Sequence, residues 1–144
     1  MEPEVVERVM KLAGLKKGQV FYDLGSGDGR LVIAAALRGA KAYGVEIDCL
    51  RVWYSRFFIW LWRLSGNAKI MDKNFFEVDL SKADVVSMFL LQETNQKMKD
   101  KLKKELKKGA KVISCTFTFD GWKPVETDLN EKSIWSPVCV HEIK

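Results

Sequence analysis

Asp23, Gly25, Gly27, Asp28 and Gly29 fall within seven consecutive positions, and Glu46 follows seventeen positions after Gly29. Glycine has no Cβ and adopts positive φ without strain, so Gly25-Ser26-Gly27-Asp28-Gly29 can turn sharply and let a ligand approach its backbone. The apolar run Leu31–Leu37 follows at once, which places the loop at a helix N-terminus, where unpaired N–H groups favour electron-rich ligands. The spacing is Gly-x-Gly-x-Gly, not the Gly-x-Gly-x-x-Gly of dinucleotide binding, and an acid, Asp23, stands immediately before it. A carboxylate there opposes a pyrophosphate and suits a cation, such as the sulfonium and amino acid portion of S-adenosylmethionine (SAM). Glu46, at the end of the next apolar run, can accept hydrogen bonds from both hydroxyls of a ribose.

These residues need a scaffold of alternating strands and helices. Pro3–Leu12 carries Val5, Val6, Val9 and Leu12 at helical spacing and closes at Gly14. Gln19–Asp23 reads as a strand into the glycine loop, Arg30–Arg38 as a helix and Lys41–Glu46 as a second strand. A long apolar helix spans Leu50–Leu64, stopped by Ser65-Gly66-Asn67. Ala68–Met71 is a short strand, Asn74–Asp79 a loop or helical turn, and Asp84–Leu91 a buried strand. A lysine-rich helix over Asn95–Leu106 and a strand over Lys111–Cys115 follow. In the tail, Thr116–Phe119, Val125–Thr127 and Ile134–Ile143 alternate as edge strands do. The expected fold is α/β: a Rossmann-like, doubly wound, mostly parallel sheet with an antiparallel C-terminal edge, in one domain over residues 1–144. In such sheets ligands sit beyond the carboxyl ends of the strands, where the glycine loop falls.

The length of 144 residues and the 47% apolar composition fit one folded domain. Eight lysines against Asp100 and Glu105 between Lys97 and Lys111 give that stretch a net charge of +6, so the remainder of a chain with formal charge +5 sums to −1. The basicity is local, which argues against a protein built to coat nucleic acid. Cys49, Cys115 and Cys139 match neither a disulfide framework nor a metal site and fit a reducing interior; with no charged-then-apolar leader, a cytoplasmic setting is expected.

Asp23-Leu24-Gly25-Ser26-Gly27-Asp28-Gly29-Arg30, followed by Gly44-Val45-Glu46-Ile47-Asp48, resembles the class I SAM-dependent methyltransferases. Asn74-Phe75-Phe76-Glu77-Val78-Asp79, Met88-Phe89-Leu90-Leu91, Gly109–Ser114 and Gly121-Trp122 resemble the small archaeal protein-lysine methyltransferases. Val52-Trp53-Tyr54-Ser55-Arg56 is similar to their mitochondrial relatives, which methylate lysines of the ATP synthase c subunit and the adenine nucleotide carrier. The resemblance implies SAM as cofactor, with Asp23, Gly25, Ser26, Gly27 and Asp28 along its methionine part. It further implies Glu46 at the ribose, Ile47 against the adenine, Asn74 at the adenine amino group beside Phe75, and Leu90 nearby. Phe89 and Leu90 fall where the superfamily places its acceptor motif. Met-Phe-Leu-Leu there departs from the Asn/Asp-Pro-Pro-aromatic of enzymes that methylate nucleic acids and glutamine. Phe89, Phe119 and Trp122 are the aromatics expected at an acceptor channel. The archaeal enzymes carry a Tyr/Pro/Thr-rich lead-in before the first helix, whereas this sequence starts at that helix; either a lead-in lies outside the sequence, or the site is more open.

The expected activity is N-methylation of protein lysines. A small-molecule or RNA methyltransferase, and a SAM-binding module without an efficient acceptor site, stand as alternatives. The lone His141 is expected on a solvated edge strand, Asp79 and Asp84 in surface loops, and the lysine-rich helix as a solvated face over Met98, Leu102 and Leu106. Phe57–Trp62 places six large apolar residues in succession, more than one buried stripe needs. Burial under the N-terminal helix, a homodimer contact and a membrane-surface contact are the three readings of the Leu50–Leu64 helix.

Overall fold

The computed structural model describes residues 2–115, 119–129 and 132–144. Seven strands form one sheet in the order β3-β2-β1-β4-β5-β7-β6. Strands β1 (Val20–Leu24), β2 (Lys41–Glu46), β3 (Ala68–Asp72), β4 (Val85–Met88) and β5 (Lys111–Cys115) are parallel; β7 (Val138–Glu142) runs antiparallel to β5, and β6 (Glu126–Asp128) antiparallel to β7. This is the doubly wound sheet with an antiparallel edge that the alternation of elements implied. The order reverses between β1 and β4, so loops leaving those strands open a crevice there.

The side-chain period of two sorts each strand between two cores. Phe21, Ala42, Ile70, Val85 and Ile113 face helices α1 (Pro3–Ala13), α2 (Arg30–Leu37) and α3 (Cys49–Leu61). Leu24, Val45, Val86 and Val112 face α4 (Gln92–Glu105) through Met98 and Leu102. Helix α1 closes on Gly14, whose left-handed backbone (φ 56°) lets its N–H reach the Met10 carbonyl. Its Arg8 grips the Asp128 carboxylate through two nitrogens at 2.8 and 2.9 Å, tying α1 to the far strand β6.

Several expected boundaries move. The fourth strand stops at Met88, because residues 89–91 leave the sheet to lead into α4, which starts at Gln92 rather than Asn95. The helix expected over 50–64 ends at Leu61, with Arg63 in the left-handed region (φ 58°). Residues 74–79 contain a single 3-10 turn, Phe75–Glu77, capped by the Asn74 side chain. Among its described residues the tail forms β6 and β7; residues 116–118 of the strand expected over Thr116–Phe119 lie outside the described residues.

His141 is a correction. It is fully buried, with its ring 5.0 Å from Phe119 and 4.9 Å from Trp122. The strand carrying it is not an edge: β6 lies outside β7, and the Phe119–Trp122 bridge folds against the ring. Burial lowers its pKa below the ordinary histidine value. Asp84 is also more than a loop acid. Its carboxylate accepts the Val20 N–H at 2.8 Å and pairs with Lys107 at 2.7 Å, pinning the amino end of β1 to the chain that follows α4. On the lysine-rich helix, Met98 and Leu102 are buried while Lys101 and Lys97 pair with Glu105 and Glu93, as a solvated face requires.

Candidate active site

The groove at the switch point follows from two local constraints. Gly25, Gly27 and Gly29 all hold positive φ (77°, 57° and 82°), a sequence of turns that only glycine makes without strain. At Gly29 a Cβ would also stand 2.8 Å from the Cβ of Ser55, so a side chain there would push α3 off the start of α2. With the loop so compact, the Gly25 and Ser26 N–H groups bond the Val45 carbonyl, and the loop is fastened to β2.

The resulting groove, of about 370 Å³, is lined by Asp23, Gly25, Ser26, Gly27 and Asp28, together with Arg30, Leu31, Arg51, Phe89 and Trp135. At its floor Asp23 is 2% exposed. Its carboxylate accepts one hydrogen bond from the Ser87 hydroxyl at 2.9 Å, the residue directly opposite it on β4. Burial pushes its pKa up to about 7, against the Ser87 bond and with the nearby Glu46 and Asp28 charges adding to the rise. Asp28 is held at the rim by Arg30 at 2.6 Å.

Glu46 is buried at the end of β2 and reaches under the loop. One oxygen accepts the Gly27 N–H at 2.9 Å, and the other accepts Ile47 at 2.9 Å and Asp48 at 3.3 Å. Arg51 stands 3.8 Å from it. Oε1, with the Gly27 N–H alone, keeps a second lone pair where a hydroxyl can be received, while Oε2 is filled by its two N–H groups, and these bonds fix the carboxylate's orientation in advance. Ile47 is exposed beside it.

Phe89 and Trp135 pack edge to face, with ring centroids 6.3 Å apart, and form the partition between this groove and a second cavity of about 400 Å³. The second cavity is apolar: Phe75, Leu90, Leu91, Thr94 and Cys115 complete its wall. Leu90 also leans on the glycine loop, with its Cδ2 3.1 Å from where a Cβ on Gly25 would be. Cys115 is a neutral wall here, since burial pushes its thiol up to about 12. Asn74 is not among the residues lining either cavity; its side chain accepts the Phe76 N–H at 3.0 Å.

Of the aromatics expected at an acceptor channel, the structure brings only Phe89 to the groove. Phe119 is buried against Trp122 and His141, and Trp122 lies under Lys103 beside a separate pocket with Lys123, Glu142 and Ile143. Trp135 takes the place assigned to them. Nothing near it in sequence marks it, because the antiparallel return of β7 along β5 is what carries it to the crevice. Ser87 was equally hidden: it meets Asp23 only once β1 and β4 are paired.

A buried carboxylate with one hydroxyl donor, two further carboxylates close by and a pKa near neutrality is suited to a ligand that brings positive charge. The residues present therefore fit the methionine end of SAM.

The model of the ANTKMT methyltransferase domain matches residues 23–126. A protein-lysine N-methyltransferase of Saccharolobus islandicus is 45% identical over 125 residues, 85% of this chain and 78% of that protein. The adenine nucleotide translocase lysine N-methyltransferase of Mus musculus is 37% identical over 121 residues, 83% of this chain and 52% of that protein. The chain thus spans about half the length of that mouse relative. Among solved structures, an RNA methyltransferase from Salinibacter ruber in complex with S-adenosyl-L-homocysteine superposes with a TM-score of 0.93 at 35% identity, over 99% of this chain and 92% of that one.

Proposed function

From a chain that belongs to the ANTKMT methyltransferase domain family, and so to the SAM-dependent methyltransferases, we propose an enzyme that N-methylates lysine side chains of proteins. The observation that carries the reading is the apolar cavity sharing Phe89 and Trp135 with the groove. When bound, SAM supplies a methyl group already activated on a sulfonium, and transfer is an in-line displacement: the N–C bond forms as the S–C bond breaks. The protein's work is to bind, orient and exclude water. Asp23 and Asp28 would hold the cationic methionine end, and the free lone pair of Glu46 Oε1 would receive a ribose hydroxyl. Phe89 and Trp135, shared by the two cavities, would shield the reacting end from water.

A lysine amine, with a pKa of about 10.4 in water, attacks only after losing its proton. A wall of Phe75, Phe89, Leu90, Leu91 and Trp135 disfavours the ammonium by desolvation, so the amine enters the cavity neutral and its proton stays with solvent. His141, in its separate buried cluster, takes no part in that step. The relative from Saccharolobus islandicus supports the lysine acceptor. A contact through α3 belongs to the same reading, since the fold leaves its outward apolar residues uncovered.

RNA is the second reading, favoured by the Salinibacter ruber structure. Incubation with methyl-labelled SAM and a mixed cell extract, followed by separate protease and nuclease digestion, decides between them. The label is expected to survive nuclease, to disappear from high-mass material with protease, and to co-elute with methyl-lysine after acid hydrolysis. Label released by nuclease would transfer the proposal to RNA.

A further inference from the structure

Helix α3 has two apolar faces, and the fold uses only one. Val52, Ser55 and Ile59 are buried against the sheet. On the opposite side Leu50, Trp53, Tyr54, Phe57, Trp60 and Leu61 recur at i, i+3, i+4, i+7, i+10 and i+11 and are all exposed, Leu50 at 77%, Trp53 at 72% and Trp60 at 67%. Helix α1 does not cover them, because it packs over α2 and β5. At about 100° per residue, this stripe occupies roughly a third of the circumference, with Arg51 on one border and Arg56 on the other. Trp62, also exposed, extends the patch at its carboxyl end. An apolar stripe bordered by arginines, rich in tryptophan and tyrosine, is the pattern of a helix that lies in a membrane interface: aliphatic groups reach the acyl boundary while indoles, phenol and guanidinium groups stay among the headgroups.

We propose that the outward face of α3 docks on an anionic lipid surface. The charges around the patch select that occupant. Residues 49–71 contain Arg51, Arg56, Arg63 and Lys69 and no acid. Of the flanking carboxylates, Glu46 holds three backbone N–H groups and Asp48 caps α3 through Leu50 and Arg51, which leaves Asp72 at the end of β3 as the exposed one. A symmetric pairing of two α3 helices would set arginine borders against each other, with only the Arg51–Glu46 pair at 3.8 Å to offset them among the described residues. Lipid phosphates supply the missing negative charge. With 13 residues, α3 is about 20 Å long, shorter than the ~30 Å hydrocarbon core, and no helix among the described residues is long and apolar enough to cross a membrane. The helix therefore lies on the surface. Arg51 lines the cofactor groove as well as bordering the stripe, so docking holds that groove within a helical turn of the headgroups.

Flotation of the purified protein with vesicles tests this. With vesicles of phosphatidylcholine and phosphatidylglycerol in equal parts, the protein should rise with the lipid. Its partition should be about a hundredfold weaker on phosphatidylcholine alone, the contribution expected of three arginines near an anionic surface. High salt should weaken it likewise. Quenching of tryptophan fluorescence by lipids brominated along the acyl chain should place the rings at the interface. Combined Trp53→Ser, Phe57→Ser and Trp60→Ser should abolish flotation while leaving SAM affinity unchanged, because these side chains are exposed and are not among the groove's lining residues. Arg56→Gln with Arg63→Gln should cut the preference for anionic lipid from about a hundredfold to about fivefold, the share left to Arg51. The proposal is overturned by absence of flotation on anionic vesicles, by equal flotation on both vesicle types, or by a concentration-dependent dimer that the serine variants dissolve.

Discussion

Asp23 and Asp84 sit at opposite ends of the same parallel core and have opposite environments. Asp84 receives the Val20 N–H and the Lys107 ammonium, and these bonds outweigh its partial burial to hold its pKa below the usual carboxylate value. Asp23 receives one hydroxyl, is more deeply buried, and has Glu46 and Asp28 as electrostatic neighbours, so its pKa rises to about 7. One acid completes a structure. The other is left short of positive charge at a groove, the state expected of a group whose partner arrives with the ligand. Strain of this kind at a site, compensated by satisfied pairs elsewhere, is the usual division in a folded enzyme.

The largest expected effect separates the two by ligand. Asp23→Ala should weaken SAM by about a hundredfold or more, the scale of removing one partner of a buried charge pair, whereas Asp84→Ala should leave the affinity unchanged. Titration calorimetry of both variants checks this, and equal losses would mean that Asp23 acts only through the fold.

The next effect concerns protons. SAM favours ionised Asp23, so its affinity should rise about tenfold per pH unit below about 7 and level off above it, with a proton released on binding near pH 6. Calorimetry in buffers of different ionisation enthalpy measures that release, and Asp23→Asn should abolish it. In the cofactor-free protein the same raised pKa works on stability. Between the ordinary value near 3.9 and about 7 the folded state holds a proton that the unfolded state has lost, so stability falls as pH rises through that window. Asp23→Asn should remove the fall and raise the melting temperature at pH 8.

The smallest effect belongs to Asp84, with the reverse sign. Its lowered pKa gives stability that is present above the ordinary carboxylate range and lost as pH falls through the folded value. Asp84→Asn should cost about 1 kcal/mol at pH 7, as expected for one half-exposed ion pair with the Val20 acceptor retained. Denaturant melts with and without SAM should show the same loss in both. A loss that vanishes with cofactor would place Asp84 in the binding site and erase the contrast.

Much of the site could be read from local sequence because its chemistry is local. Asp23, the three glycines and Asp28 are neighbours in the chain, and Glu46 is one βα unit away, so residue type and spacing already dictated a turn, a helix N-terminus and a cluster of acids. Strand alternation and helical periodicity likewise dictated a doubly wound sheet. The apolar excess on α3 was visible as Phe57–Trp62, but its meaning was not, because periodicity does not tell which side a helix buries.

Tertiary structure decided what depends on distant chain segments meeting. The pairing of β1 with β4 set Ser87 on Asp23. The return of β7 along β5 put Trp135 beside Phe89 and sent Phe119, Trp122 and His141 into a cluster of their own. The packing of α1 on α2 and β5 left the outward face of α3 uncovered. Residue type and spacing determined which charges gather at the glycine loop, because those residues are close along the chain. Only the packed sheet determined which aromatics wall that loop and which face solvent, because those contacts join residues that sequence order keeps apart.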